Sequence, residues 1–231
     1  MFLLCSDRCC DEKLLAWHGC DGGCLPHYYS VSPQAVSELS GGASITHAIG
    51  CIDGPGCSKL NVATSVAAAK AADVAVLVVG LKTNGEGSHG CRNPGCLHGT
   101  NGEGIDRRNI TLPGQQQALC EAVIAAGKPT VLVVIGGGSI SIDFAKDSSQ
   151  VAVISVGAGG YVGAEALAEV LFGIVNPSGR LPHTIYNSRW EQLTPMADMS
   201  MQAGPGRSYR WLDTAASPAL WCEFLPPLPP L

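Results

Sequence analysis

Three apolar, β-branched runs, "VAVLVVG" (74–80), "TVLVVIGG" (130–137) and "VAVISVGAGG" (151–160), dominate what this chain can become. Each is continuous where a half-exposed strand would alternate, and each ends on glycine. Runs of that kind mark strands covered on both faces, the habit of parallel sheets. Helix-forming stretches lie before, between and after them. "SKLNVATSVAAAKAAD" (58–73) is alanine-rich, with Ser58 as an expected cap. "LPGQQQALCEAVIAAGKP" (112–129) has Pro113 near its start and a Gly-Lys-Pro stop. "YVGAEALAEVLFGIVNPSG" (161–179) closes on Gly173 and a Pro/Gly turn. Strands alternating with helices imply an α/β fold with a mostly parallel, doubly wound sheet. Such sheets bind ligands in the loops beyond the carboxyl ends of their strands. The stretch that follows the first run, 83–110, therefore holds the first candidate site.

Composition narrows the class. Hydrophobic residues make up 46% of the 231, enough for a packed core, while charged residues make up 14%, below the ~25% of ordinary globular chains. A net charge of −5 leaves no basic footprint for nucleic acid, and no apolar run approaches the ~20 residues of a membrane helix. Eleven cysteines crowd the N-terminal half. They point to an oxidising compartment and to disulfides in the 51–96 region, with pairing left open. The opening "MFLLCSDRCCDEK" is too short and too soon acidic to be a signal-peptide core.

Three motifs carry possible chemistry. "VISVGAGGYVGAEAL" (153–167) follows a strand and opens a helix, as a dinucleotide site would, yet Val162 stands where that fingerprint needs glycine or alanine. Its glycines suit turns and close packing better. "HGCRNPGCLH" (89–98) offers His89, Cys91, Cys96 and His98, but all four fall within ten residues around a Pro-Gly turn. Structural zinc sites separate their ligand pairs more widely, so a disulfide or free thiols is the better reading and no metal is expected. The third motif is a repeat: "TNGEG" occurs at 83–87 and again at 100–104, giving Glu86 and Glu103. A carboxylate in a glycine-flanked loop after a buried strand is well placed for proton transfer. By local spacing alone, a solvated turn residue is the plainer reading of each.

The order of several stretches weighs more than any one of them. "AAKAADVAVLVVGL", "EGIDRRNITLPGQQQALCEAV", "GKPTVLVVIGGGSISIDFAK", "AEALAEVLFGIVNPSGRLPHTIY", "LTPMADMSM" and "GPGRSYRW" occur in that order. Together they resemble the C-terminal α/β-sandwich domain of glycoside hydrolase family 3, nearest the β-xylosidase and arabinofuranosidase branch, with β-glucosidases next. The resemblance covers 45–211 and extends toward "HYYSVSP" (27–33). It implies a retaining hydrolase with two carboxyl groups ~5–5.5 Å apart, no metal or organic cofactor, and oligosaccharide or aryl β-glycoside substrates. It also implies a nucleophilic Asp from a (β/α)8 barrel domain and an acid/base Glu from a loop of this one.

The family spacing favours Glu86, shortly after Gly80-Leu81 in Gly85-Glu86-Gly87, as acid/base, with Glu103 as the alternative. Asp106 and Arg107 are expected to brace the loop by ion pairing and hydrogen bonds. The resemblance and the cysteines together suggest a secreted protein. The 88–99 insertion departs from the family's compact pattern. Nothing in the chain resembles the barrel, which needs ~250 residues of its own, so the chain reads as a fragment, splice form or incomplete gene product. Three regions follow: an irregular Cys-rich segment (1–26), the α/β-sandwich domain (27–211) and an irregular Pro-rich tail (212–231). A non-catalytic carbohydrate-binding or partner-docking domain is the rival expectation, and nucleotide binding the third.

Overall fold

The computed structural model describes residues 2–5, 33–52, 57–81, 107, 109–157, 162–190, 197–200 and 219–221. Five parallel strands form the main sheet in the order β2-β1-β3-β4-β5. They are β1 (Phe2–Cys5), β2 (Thr46–Ile49), β3 (Ala75–Gly80), β4 (Thr130–Ile135) and β5 (Val151–Val156). Five helices connect or follow them: α1 (Pro33–Glu38), α2 (Val62–Ala71), α3 (Gln116–Ile124), α4 (Asp143–Lys146) and α5 (Gly163–Leu171). A separate antiparallel pair joins β6 (Ile185–Tyr186) to β7 (Ala219–Trp221).

The buried strands behave as their composition dictates. All six residues of β3 are buried, and successive side chains go to opposite faces. Leu77, Val79, Leu132 and Val134 meet Ala69 of α2, Leu119, Cys120 and Val123 of α3, and Ala145 of α4. Val76, Val78, Val133 and Ile135 meet Val36 of α1 with Leu167 and Ala168 of α5. The sheet is thus doubly wound, as the alternation of elements requires.

Chain direction explains which helix covers which face. From β1 the chain crosses through α1 to β2 on one side. From β2 it crosses back through α2 to β3, then through α3 to β4 and α4 to β5, always toward the other side. Crossovers between parallel strands are right-handed, so reversing direction moves the helices to the opposite face. The reversal lies between β1 and β3. At such a point the two connecting segments diverge and leave a crevice beyond the strand ends.

Several local expectations are adjusted. The 1–26 segment is not wholly irregular: Phe2–Cys5 forms a strand between β2 and β3. Within the Pro-rich tail, Ala219–Trp221 pairs with β6. Helix α2 starts at Val62 and not beside Ser58. The residues before it are held out of the helix by the Cys51–Cys57 disulfide, by the Cys51–Leu60 bridge, and by Ile52 N–H donating to the Lys59 carbonyl at 2.9 Å. Helix α5 stops at Leu171, and Gly173 follows with φ +70°. There the Gly173 and Ile174 amides donate to Val170 and Glu169 carbonyls at 3.1 and 2.8 Å, closing the helix end as a left-handed glycine allows.

Candidate functional site

The carboxyl end of β3 lies beside the winding reversal, and its last residue is held from three directions. Gly80 N–H donates to Gln116 Oε1 at 2.8 Å, and Gln116 Nε2 donates back to the Gly80 carbonyl at 2.9 Å. Next in sequence, Leu81 N–H donates to the Ile135 carbonyl at 2.8 Å. Gly80 has φ +152°, and a Cβ built on it would fall 1.9 Å from the Ile135 oxygen. Glycine is required there because the neighbouring strand leaves no space for a side chain.

Gln116 reaches Gly80 because of where α3 begins. Gln116, Leu119, Cys120 and Val123 are the buried residues of α3, the i, i+3, i+4, i+7 stripe of one helix face. A glutamine at the head of an apolar stripe must satisfy its amide inside the core, and the β3 main chain supplies one donor and one acceptor. The start of α3 is in turn pinned to the stretch that precedes α2. Gln115 N–H donates to the Cys57 carbonyl at 3.0 Å, and Gln115 Nε2 to the Ser58 carbonyl at 2.6 Å.

Arg107 marks the return of the chain from the 82–106 segment. Its Nη2 donates to the Ser139 carbonyl in the loop after β4. Just beyond, Ser141 N–H donates to the Ile110 carbonyl at 2.7 Å, and Thr111 bridges Ser141 in parallel. The residues that flank the segment, Leu81 and Arg107, are therefore both anchored on the carboxyl edge formed by β3 and β4. Glu86, Glu103 and Asp106, like His89, Cys91, Cys96 and His98, lie outside the described residues.

A second polar cluster ties the far side of this edge. Asp143 accepts from Ser141 Oγ at 2.9 Å, Ser188 N–H at 3.0 Å and Ser188 Oγ at 2.7 Å. This joins the start of α4 to the turn after β6, where Tyr186 and Trp190 stack with centroids 4.6 Å apart. Between these parts, Val134, Gly136, Ile140, Ser155, His183 and Ile185 line a cavity of about 10 Å³. That volume suits about one water and not a sugar ring. Among the described residues no group of three or more His, Cys, Asp or Glu could hold a metal ion.

Gln116 and Asp143 escaped the sequence reading. For Gln116 the signal was present: of three consecutive glutamines, 115–117, only the middle one falls on the stripe completed by Leu119, Cys120 and Val123. For Asp143 nothing local announces a partner 45 residues away.

This architecture is shared. The profile of the glycosyl hydrolase family 3 C-terminal domain matches residues 16–211. A β-xylosidase/α-L-arabinofuranosidase of Medicago sativa subsp. varia is 36% identical over 197 residues, covering 81% of this chain and 23% of the relative. β-D-Xylosidase 3 of Arabidopsis thaliana is 36% identical over 194 residues, covering 81% and 22%. Among solved structures, a family 3 exo-β-xylosidase bound to a xylobiose aziridine probe superposes with TM-score 0.69 and 26% identity, covering 95% of this chain and 26% of that one. A Bifidobacterium adolescentis family 3 β-glucosidase follows with TM-score 0.55 and 26% identity, covering 77% and 23%. The chain thus spans about a quarter of the length of these relatives. Its ordered motifs, its doubly wound sheet and its profile match over 16–211 agree: the chain belongs to glycoside hydrolase family 3 and corresponds to the C-terminal domain of that family.

Proposed function

We propose that this domain supplies the acid/base carboxyl group of a retaining exo-β-glycosidase, with β-xylosides as the substrate class. Glu86 is that acid/base, Glu103 is the alternative, and Asp106 and Arg107 support the segment that carries them. The observation behind this reading is positional. The 82–106 segment follows β3 beside the winding reversal, and the residues that flank it, Leu81 and Arg107, are anchored on the carboxyl edge of the sheet. The β-xylosidase relatives supply the substrate class. The Cys51–Cys57 disulfide is consistent with a secreted enzyme of plant-polysaccharide breakdown. Among the described residues no helix is long and apolar enough to cross a membrane.

In the first half of such a reaction the protonated Glu86 gives its proton to the glycosidic oxygen as the bond to the anomeric carbon breaks. A carboxylate nucleophile meanwhile bonds to that carbon. In the second half ionised Glu86 takes a proton from water, the water oxygen bonds to the anomeric carbon, and the nucleophile departs. The nucleophile of such a reaction belongs to the family's barrel domain, so turnover needs the two domains together.

The test is to supply a family barrel domain by fusion and to assay aryl β-xylosides with good and poor leaving groups. Glu86→Gln should lose about 10²–10⁴-fold on the poor leaving group and far less on the good one, with Glu103→Gln close to wild type. Full activity of Glu86→Gln on both substrates would refute the assignment. Sugar binding by the fusion without turnover would favour a carbohydrate-binding role.

A further inference from the structure

We infer that Gln116 is a positioning residue: its side-chain amide fixes the point from which the acid/base segment leaves the sheet. The inference rests on the reading that the segment after β3 carries the proton donor. Gln116 is fully buried, and both ends of its amide bond one residue, Gly80. A paired donor and acceptor restrain translation and rotation of that peptide together, as a single hydrogen bond would not. Gly80 stands six residues before Glu86 in the sequence.

The clamp has a rigid base. Gln115, its neighbour, is bonded through both main chain and side chain to Cys57 and Ser58, and Cys57 is cross-linked to Cys51. A continuous path of covalent and hydrogen bonds thus runs from the disulfide through the first turn of α3 to the end of β3. No apolar side chain could replace Gln116 without leaving the Gly80 N–H and C=O buried and unmatched. Proton transfer is sensitive to placement, and an error of about 1 Å can cost 10²-fold. Anchoring the strand end beneath a long segment is therefore worth a buried polar group.

Gln116→Met keeps the side-chain volume and removes both bonds, while Gln116→Glu keeps the acceptor for Gly80 N–H and loses the amide donor. In the chain itself, hydrogen exchange at Gly80 and Leu81 should quicken about tenfold in the Met variant and less in the Glu variant, with β4 amides such as Leu132 unchanged. In the barrel-fused enzyme, kcat/KM on poor leaving groups should fall about 10–100-fold for Met and less for Glu, and activity on good leaving groups should hold. Equal losses on both substrates, or no loss on either, would overturn the proposal, because a purely structural residue does not discriminate between leaving groups. The Glu86 reading fails separately, when Glu86→Gln shows no leaving-group dependence while the Gln116 variants still do.

Discussion

Replacing Gly80 with alanine tests the geometry on which the site depends. The new Cβ would lie 1.9 Å from the Ile135 oxygen and within 2.9 Å of the Ile135 carbon and nitrogen. All three are main-chain atoms of a central strand and cannot swing aside as a side-chain tip can. To reach even 3.0 Å the oxygen must retreat by about 1 Å, which stretches the 2.8 Å bond from Leu81 N–H and shears Gly80 off Gln116. The φ of +152° adds backbone strain of about 1–3 kcal/mol. Each buried hydrogen bond left unmade costs about 1–3 kcal/mol. Alanine also reduces the freedom of the unfolded chain, which offsets only about 0.4–1 kcal/mol. The expected net loss is at least about 3 kcal/mol, a large share of the ~5–15 kcal/mol that stabilises a domain.

Urea unfolding of wild type and variant, followed by far-UV circular dichroism, measures this loss. Gly136→Ala is the internal control. Its Cβ would approach only Ile140 Cδ1 at 3.1 Å and Leu81 side-chain atoms at 3.2 Å, contacts that side-chain rotation relieves, so it should lose about 1 kcal/mol. A Gly80→Ala loss under about 1 kcal/mol, or one no larger than that of Gly136→Ala, would refute the proposed packing of β3 against β4.

Two further outcomes test the surroundings of α3. Opening the Cys51–Cys57 disulfide, which spans a sequence separation of 6, by reductant or by Cys51→Ser should cost about 2 kcal/mol; an unchanged urea midpoint on reduction would contradict that. Burial, with a smaller contribution from the Glu121 charge, pushes the Cys120 thiol up to about 12 from the ordinary value of 9.0. Between those pH values the folded chain keeps a proton that the unfolded chain releases, so stability should fall as pH rises, by up to about 1.4 kcal/mol per unit. The Cys120→Ala variant should lack this component, and parallel pH profiles for the two proteins would count against it.

What could be read without coordinates was local. Continuous apolar runs announced β3, β4 and β5. β3 and β4 are covered on both faces as expected. β5 lies at the sheet edge and none of its residues is fully buried, because among the described residues no strand covers its outer side. The ends were less legible. Residues 58–61 look like a helix start, yet a disulfide and a short bridge hold them out of the helix. β1 is only four residues long and its place comes from neighbours on both sides, which no window of sequence displays. Of the expected site residues, Arg107 lies within the described part, with its guanidinium on the Ser139 carbonyl. The roles of Glu86, Glu103 and Asp106 rest on spacing and on the family.

The sequence by itself determined the class of fold and the family, since hydrophobic periodicity and motif order are written in consecutive residues. Only the tertiary structure decided where the winding reverses, what the inward glutamine meets, and which glycine has no room for a methyl group. Each of those depends on a partner tens of residues away: Gln116 is 36 positions from Gly80. Contacts across that distance form when parallel strands are brought together by their crossovers, and chain topology sets which residues then meet.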